Sequence, residues 1–292
     1  MTMRNTTNEL YHHGILGQRW GKRNGPPYPL EASKHSVSEK KAGWQNSLDS
    51  TQKDFYRESS TQLKKNSDGS LTFPKGFVLN RVGKNTTDVR TNKTGGLFVS
   101  YGKADAARYI KIYGPDLCNT VFRNTREAIQ HISVTKPIRL PSESQTVSET
   151  GKFLKENPEA VDALKNDLFT SSLLSKKTTK LTEQNIDRMI SNPDALESKQ
   201  IAYVANMTMV LADNFESFIK SYYAHFRKCG YDAVPDLHDI YDGASETPMI
   251  IINPEKVKVT ETTVLTKEVY KAGKDYVKEI GKLPISDVYK KL

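Results

Sequence analysis

A long block with helical periodicity lies between two groups of short β-rich runs, and this order limits the folds open to the chain. The spacing of apolar residues predicts helices over 142–228. Before and after this block come runs of strand length, at 77–82, 96–100, 128–140, 231–234, 249–252 and 257–265. Strands followed by helices and then strands predict an α+β fold, not the alternating order of a parallel doubly wound sheet.

The strongest helical pattern in the block runs from residue 198 to residue 228. Its apolar residues recur three and four positions apart, which places them on one face of a helix. They are Ile201, Val204, Met207, Leu211, Phe215, Phe218 or Ile219, Tyr222 and Phe226. We interpret this stripe as core, and Gly230 as the residue that ends the helix.

Composition divides the chain into an arm, a body and a tail. Only 36% of the residues are hydrophobic, against about 45% in ordinary globular domains, so part of the chain is expected outside the core. Residues 1–72 are polar and predict a mostly extended arm that ends in a turn-rich linker at 66–70. Residues 73–265 form the predicted α+β body with 142–228 as a helical insert, and 266–292 hold a basic helix.

The net charge of +9 is concentrated at the two ends of the chain. Residues 1–65 hold 11 basic and 6 acidic side chains, and residues 267–292 hold 7 and 4. A globular reader of nucleic acid would instead carry its basic residues on a folded face. The ends are therefore interpreted either as solvated tails or as arms that lie along an acidic protein or nucleic-acid surface.

The sequence argues against several kinds of site and location. No apolar run approaches the roughly 18 residues of a membrane helix, and the first residues lack a signal-peptide pattern. Cys118 and Cys229 are far apart and predict neither a disulfide framework nor a metal cluster. His12 and His13 are adjacent and have no third ligand nearby, so no metal is predicted. A reducing compartment fits this cysteine usage best.

Three polar residues lie at strand ends in the order arginine, serine, glutamate. Arg81 ends the first strand, Ser100 ends the second, and Glu246 precedes the run at 249–252. With the surrounding segments FPKGFVLNRVG, GGLFVSYGKADAARYI and SETPMIIINPEKVKVTE, this order resembles the ADP-ribosyltransferase fold. The resemblance covers about 74–140 and 229–265, and it implies a small β core of that family with a large helical insert.

The resemblance implies NAD as the cofactor and a role for each of these residues. Arg81 would bind the NAD phosphates, because a guanidinium grips a pyrophosphate with two hydrogen bonds. Glu246 would be catalytic, since a carboxylate stabilises the oxocarbenium-like centre formed when the nicotinamide–ribose bond breaks. Ser100 would support that carboxylate, and Phe98 or Tyr101 would line the nicotinamide.

Two departures from the family pattern bear on activity. The family's serine motif is usually Ser-Thr-Ser, and here Val99, Ser100 and Tyr101 retain one serine. Ala244 occupies the position where arginine-modifying members carry an acidic or amide residue, which argues against arginine as a target. The sequence leaves open whether the body is an active NAD-dependent transferase or an inactive relative.

The most distinctive segment is LYHHGILGQRWGKR at residues 10–23. Its three glycines disfavour a regular helix, and its apolar residues have no local core to join. These features predict a peptide that orders on a partner, with apolar anchors and cations that pair with acids. The predicted docking residues are Tyr11, His12, His13, Ile15, Leu16, Arg19 and Trp20. The alternative is a tail that packs back on its own body.

The string HHGILGQRWGKR also resembles a short motif in virion and head-region proteins of tailed bacteriophages that infect Gram-positive hosts. This resemblance implies a virion-associated structural protein whose partners are capsid or other virion proteins. The expected location is the virion, and the host cytoplasm during assembly. The alternative function is an active ADP-ribosyltransferase that is delivered to modify a host protein.

Overall fold

The computed structural model of the protein describes residues 59–102, 105–110, 127–170, 176–192, 216–241, 245 and 247–280. Within these ranges it contains two antiparallel sheets and six α-helices with both ends described, and residues 105–110 are helical as well. The predicted α+β class is confirmed. Most of the predicted arm, and with it the segment 10–23, lies outside the described residues.

The strands form a sheet of six and a sheet of three. The larger sheet has the order β7-β8-β4-β3-β5-β9, and the smaller has the order β1-β2-β6. The strands are β1 (Lys64–Lys65), β2 (Leu71–Phe73), β3 (Val78–Lys84), β4 (Leu97–Ser100), β5 (Glu127–Val134), β6 (Ile138–Leu140), β7 (Ala233–Pro235), β8 (Pro248–Ile251) and β9 (Val257–Val264). The helices are α1 (Glu143–Glu156), α2 (Pro158–Thr170), α3 (Lys176–Ser191), α4 (Glu216–Lys228), α5 (Leu237–Tyr241) and α6 (Lys267–Ile280).

Strands β4, β7 and β8 of the larger sheet are buried on both faces. Successive residues of a strand point to opposite faces, and β4 shows this plainly. Leu97 and Val99 join the core shared with Phe73 of the small sheet, whereas Phe98 joins the core of the helices. This burial on both sides explains why β4 and β8 are continuous apolar runs without polar alternation.

The helical insert covers one part of the sheet through an aromatic core. Phe153 of α1 makes edge-to-face contacts with Phe218 and Tyr222 of α4, with ring centroids 5.5 Å apart in both pairs. Phe226 and Ile219 are buried beside them. The interpretation of the apolar stripe as core is therefore confirmed for 216–228, and its earlier part lies outside the described residues.

The C-terminal helix α6 packs against the body. Its apolar face, which includes Val269, Tyr276 and Val277, contacts Val82 of β3 and Ile129 of β5 in one buried cluster. Residues 105–110 contribute to the same cluster. The basic helix that the sequence predicted is present, and its apolar side belongs to the core.

Three predicted boundaries differ from the structure. The predicted linker at 66–70 is the turn of a hairpin, since Lys64–Lys65 pairs with Leu71–Phe73. The predicted strand 128–140 is two strands in different sheets, because Thr135 and Lys136 donate to the carbonyl of Lys256 and the chain turns there. The predicted loop 236–247 contains the short helix α5.

The end of α4 is fixed by a left-handed residue. Gly230 has φ 82°, its N–H donates to the carbonyl of Arg227, and the N–H of Tyr231 donates to that of Phe226. This pair of bonds is the Schellman motif. It fixes the backbone positions of Cys229 and Tyr231 at the end of the helix.

Alanine at two glycines is expected to change stability in opposite directions. Gly230→Ala should lower the free energy of unfolding by about 1 kcal/mol, because a side chain disfavours positive φ. Gly273→Ala should raise it by about 0.5–1 kcal/mol, since an added Cβ would lie in ordinary contact, 3.5 Å or more from Ile110. Urea unfolding of both variants measures this, and equal shifts in the same direction would contradict it.

Candidate functional site

The larger sheet opens between β3 and β4. Strand β3 pairs with β5 along all 7 of its residues, and β4 pairs with β8 along all 4. Between β3 and β4, however, only Asn80 and Ser100 are in register. The cleft beyond this pair, called here the β3/β4 cleft, holds about 220 Å³ including its open side. Its lining is Asn80, Arg81, Val82, Phe98, Val99, Tyr109, Asp236, Pro248 and Met249.

The structure brings some of the predicted site residues to this cleft. Arg81 and Phe98 line it from opposite strands, and Ser100 lies at its closed end. Tyr101 lies next to Ser100, but its ring packs edge-on against Phe73 of the small sheet at 5.0 Å. Glu246 lies outside the described residues, and its predicted catalytic role stays a prediction.

Arg81 and Ser100 project to opposite faces of the sheet. Ser100 is opposite Asn80, and Arg81 is the next residue of β3, so its side chain points the other way. Arg81 shares its face with its register partner Gln130. A Cβ added at Gly83, which lies between them, would approach the Arg81 Nε to 3.5 Å and the Gln130 Oε1 to 3.4 Å. Arg81 and Ser100 are therefore neighbours where the pairing of β3 with β4 ends, but their side chains lie on opposite faces of the sheet.

The guanidinium of Arg81 is bonded to the loop that follows β3. Its Nη1 donates to the carbonyl of Arg90 at 2.8 Å. Beside it, Gln130 Nε2 donates to the carbonyl of Thr86 at 2.9 Å. Both bonds fix the connection between β3 and β4 at the edge of the cleft. The bond to Arg90 uses one of the five N–H donors of the guanidinium.

A buried polar chain crosses four strands behind the cleft. The Ser100 hydroxyl donates to the carbonyl of Asn80 at 3.3 Å. His131 Nδ1 is hydrogen-bonded to Asn80 Oδ1 at 3.0 Å, and His131 Nε2 is hydrogen-bonded to the Thr263 hydroxyl at 3.0 Å. Buried hydrogen-bonded groups of this kind fix strand register, because a slip would leave each of them unpaired.

Sequence reasoning missed Asn80 and His131. Both are buried polar residues on the face of the sheet that also carries Val82 and Ile129. The sequence did offer one signal for these residues, because each is a polar residue at a position of a predicted strand that faces the core. The partners could not be predicted, because they lie 51 and 132 positions away in the chain.

Three buried carboxylates lie near the cleft, and Asp236 is part of its lining. Asp105, Asp236 and Asp239 are all under 5% exposed. Asp105 Oδ2 accepts from the backbone N–H of Thr247 at 3.1 Å and from its hydroxyl at 2.6 Å. These bonds hold the start of β8 to the helical residues 105–110. The sequence pattern had not singled out any of the three acids.

Tyr109 connects this acidic group to the cleft that it lines. Its hydroxyl donates to Asp239 Oδ2 at 2.7 Å. Burial, reinforced by the charges of Asp239, Asp236 and Asp105, raises the pKa of Tyr109 well above its usual value. Tyr109 therefore stays protonated at neutral pH and acts as a hydrogen-bond donor. Burial also raises the pKa of Tyr101.

The enclosed part of the cleft has room for about one water molecule, so a larger ligand requires the two strands to move apart. Phe98 and Arg81 lie on its two walls. Among the described residues, a set of side chains that could hold a metal lies elsewhere, at Glu149, His225 and Cys229 in the helical layer.

The chain matches no described protein family, curated protein or solved structure. Within the part of the chain that the structure describes, no helix has both the length and the hydropathy of a membrane span. The predicted docking residues are Tyr11, His12, His13, Ile15, Leu16, Arg19 and Trp20, and all of them lie outside the described residues.

Proposed function

We propose that the protein is a virion-associated structural protein of a tailed bacteriophage, with a body whose sheet is of the ADP-ribosyltransferase type. The segment HHGILGQRWGKR supports the virion location through its resemblance to a motif of such proteins. The observation that favours a structural role for the body is the state of the β3/β4 cleft. It is narrow, and the guanidinium on its wall is bonded to the Arg90 carbonyl.

The hydrogen bonding of Arg81 and the small size of the cleft favour the structural role over NAD binding. Recognition of a pyrophosphate by arginine uses two parallel N–H donors of the guanidinium. The bond to Arg90 engages one of the five N–H donors of Arg81 and holds its guanidinium toward its own loop. The enclosed space is too small for a dinucleotide, so the cleft must widen before NAD binds. A structural component of a particle does not require that movement. In this role the protein acts in the virion, and in the host cytoplasm during assembly.

The second candidate function is that of an active NAD-dependent ADP-ribosyltransferase, delivered to modify a host protein. The observation that favours it is the interrupted ladder between β3 and β4. Because β3 and β4 are in register at a single pair of residues, the two strands can move apart. Arg81 and Phe98 lie on the two sides of the gap between them. Phe98 would contact the nicotinamide ring, and Arg81 the phosphates.

Two measurements on the full-length protein test these functions. Mass spectrometry of purified virions should detect the protein in the particle, and its absence would contradict the structural proposal. Incubation with labelled NAD and host lysate tests the second function. The variants are Glu246→Gln and, as a matched control, Glu255→Gln at an exposed position. A structural protein gives no labelled product, whereas label that is lost only in Glu246→Gln would establish the transferase.

A further inference from the structure

Three potential ligand atoms converge where helix α1 meets the end of helix α4. His225 Nε2 lies 3.2 Å from Glu149 Oε2, Cys229 Sγ lies 3.4 Å from the same oxygen, and the sulfur and nitrogen are 3.7 Å apart. The side chains of His225 and Glu149 are 13% and 16% exposed, so an ion can reach them from solvent. We call this group the Glu149–His225–Cys229 cluster.

The fold holds the three side chains in place independently of their mutual hydrogen bonds. His225 and Cys229 are four residues apart at the C-terminal end of α4, so they lie one above the other on the same side. The Schellman bonds of Gly230 and Tyr231 fix the position of Cys229. Glu149 lies on α1, which is joined to α4 by the aromatic contacts of Phe153.

The contacts differ from those of a catalytic relay. In a cysteine–histidine–acid relay the nucleophile and the acid bind different nitrogens of the imidazole, one on each side of the ring. Here both the thiol and the carboxylate approach Nε2. Three potential ligand atoms from different residues that lie this close together can instead coordinate a single metal ion.

We propose that the Glu149–His225–Cys229 cluster binds one zinc ion. Bonds of about 2.0–2.1 Å to nitrogen or oxygen and about 2.3 Å to sulfur, at tetrahedral angles, separate ligand atoms by roughly 3.3–3.6 Å. The observed separations of 3.2, 3.4 and 3.7 Å surround that range. A thiolate together with an imidazole favours zinc over magnesium or calcium, which prefer oxygen ligands. Water takes the fourth position.

The surroundings of the cluster suit a divalent cation. The C-terminal end of α4 carries the negative end of the helix dipole, which attracts a cation. Lys152 Nζ binds the second oxygen of Glu149, Oε1, at 2.7 Å and leaves Oε2 directed to the cluster. This is the type of outer contact that orients a metal ligand. On binding, the Cys229 thiol releases its proton to solvent and the sulfur bonds to zinc as thiolate.

The zinc ion would link two helices that are distant in the chain. Glu149 and Cys229 are 80 positions apart, so the metal closes the whole helical insert between them. Binding to the folded state alone stabilises it in proportion to the logarithm of the free metal concentration. The expected role is therefore to stabilise the helical layer, and the sequence prediction of no metal would be wrong.

The test uses the full-length protein after removal of metals with a chelator and reduction of its thiols. Cobalt(II) is titrated as a spectroscopic probe, followed by zinc as competitor. We expect one equivalent of cobalt with a thiolate-to-metal charge-transfer band, displacement by zinc, and a higher melting temperature with zinc. Cys229→Ser should abolish the band and weaken zinc binding by on the order of a hundredfold or more, beyond the 10–100-fold of an outer contact.

Two matched controls separate this site from other binding. Cys118→Ser removes the other of the 2 cysteines, and the double substitution His12→Ala with His13→Ala removes the paired histidines. Both variants should keep the band and the stoichiometry. If Cys229→Ser fails to fold by circular dichroism, Glu149→Gln decides by the same titration. A band that persists in Cys229→Ser or Glu149→Gln, or a wild-type protein without it, would overturn the proposal.

Discussion

Raising the pH above 10 is expected to unfold the body within about two pH units. Four tyrosines of the described residues have a strongly raised pKa. Burial raises the pKa of Tyr222 to about 12, and it raises those of Tyr101, Tyr109 and Tyr223 as well. The unfolded chain releases these protons near pH 10, whereas the folded chain keeps them. Above pH 10 the unfolded state thus binds fewer protons, and the free energy of unfolding falls as pH rises.

The size of the effect follows from the number of protons. Each retained proton changes the free energy of unfolding by about 1.4 kcal/mol per pH unit. Four such tyrosines give a slope of roughly 5–6 kcal/mol per pH unit once the unfolded chain is fully ionised. A free energy of unfolding of about 5–15 kcal/mol, which is usual for a domain, then falls to zero within about one to three pH units. Below pH 10 the tyrosines leave stability unchanged.

A pair of variants isolates the contribution of Tyr222. Its hydroxyl is hydrogen-bonded to that of Thr150 at 2.8 Å. Tyr222→Phe removes this bond and the titrating group, and it should reduce the slope above pH 10 by about a quarter. Thr150→Val removes the same bond and keeps the tyrosine, so its slope should equal that of the wild type. Urea unfolding followed by circular dichroism at several pH values measures both. Equal slopes in the two variants would contradict the explanation.

The elements that sequence reasoning located well are those with a local signal. The run at 77–82 and the strand Val78–Lys84 nearly coincide, because apolar β-branched residues and Gly83 mark it. The end of α4 was predicted from Gly230, whose conformation no other residue adopts as readily. The run at 128–140 was predicted as one strand although Pro137 marks a break within it. The turn at Thr135 is stabilised from across the fold by the carbonyl of Lys256, which no local pattern indicates.

The candidate site was harder to predict because its geometry depends on pairing between distant strands. Alternation along β3 shows that Asn80 and Arg81 point to opposite faces. Which of them shares a face with Ser100 is decided by the cross-strand register, which no local pattern specifies. The interruption of the ladder between β3 and β4 is likewise a property of the sheet as a whole. The Glu149–His225–Cys229 cluster had one local sign, the four-residue spacing of His225 and Cys229.

The second large effect is expected from changes to the N-terminal segment 10–23, in incorporation into virions. Deletion of 10–23 should remove the protein from assembled particles, and Trp20→Ala should strongly reduce its amount. Tryptophan is a frequent interface anchor, and its truncation typically weakens binding by ~2 kcal/mol or more, which is about thirtyfold in affinity. Mass spectrometry of purified virions, normalised to the major capsid protein, measures the effect. It rests on the proposed virion location.

The chain supplies a matched control for the tryptophan, because the second of its 2 tryptophans, Trp44, lies in the same polar region but outside the motif. Trp44→Ala should leave incorporation at the wild-type level. The melting temperature of each purified variant distinguishes the two interpretations of the segment. A docking peptide leaves the melting temperature of the body unchanged when it is deleted, since its anchors pack on a partner. If the deletion variant enters particles normally, the segment is not a docking element. If its melting temperature falls by several degrees, the segment packs on its own body.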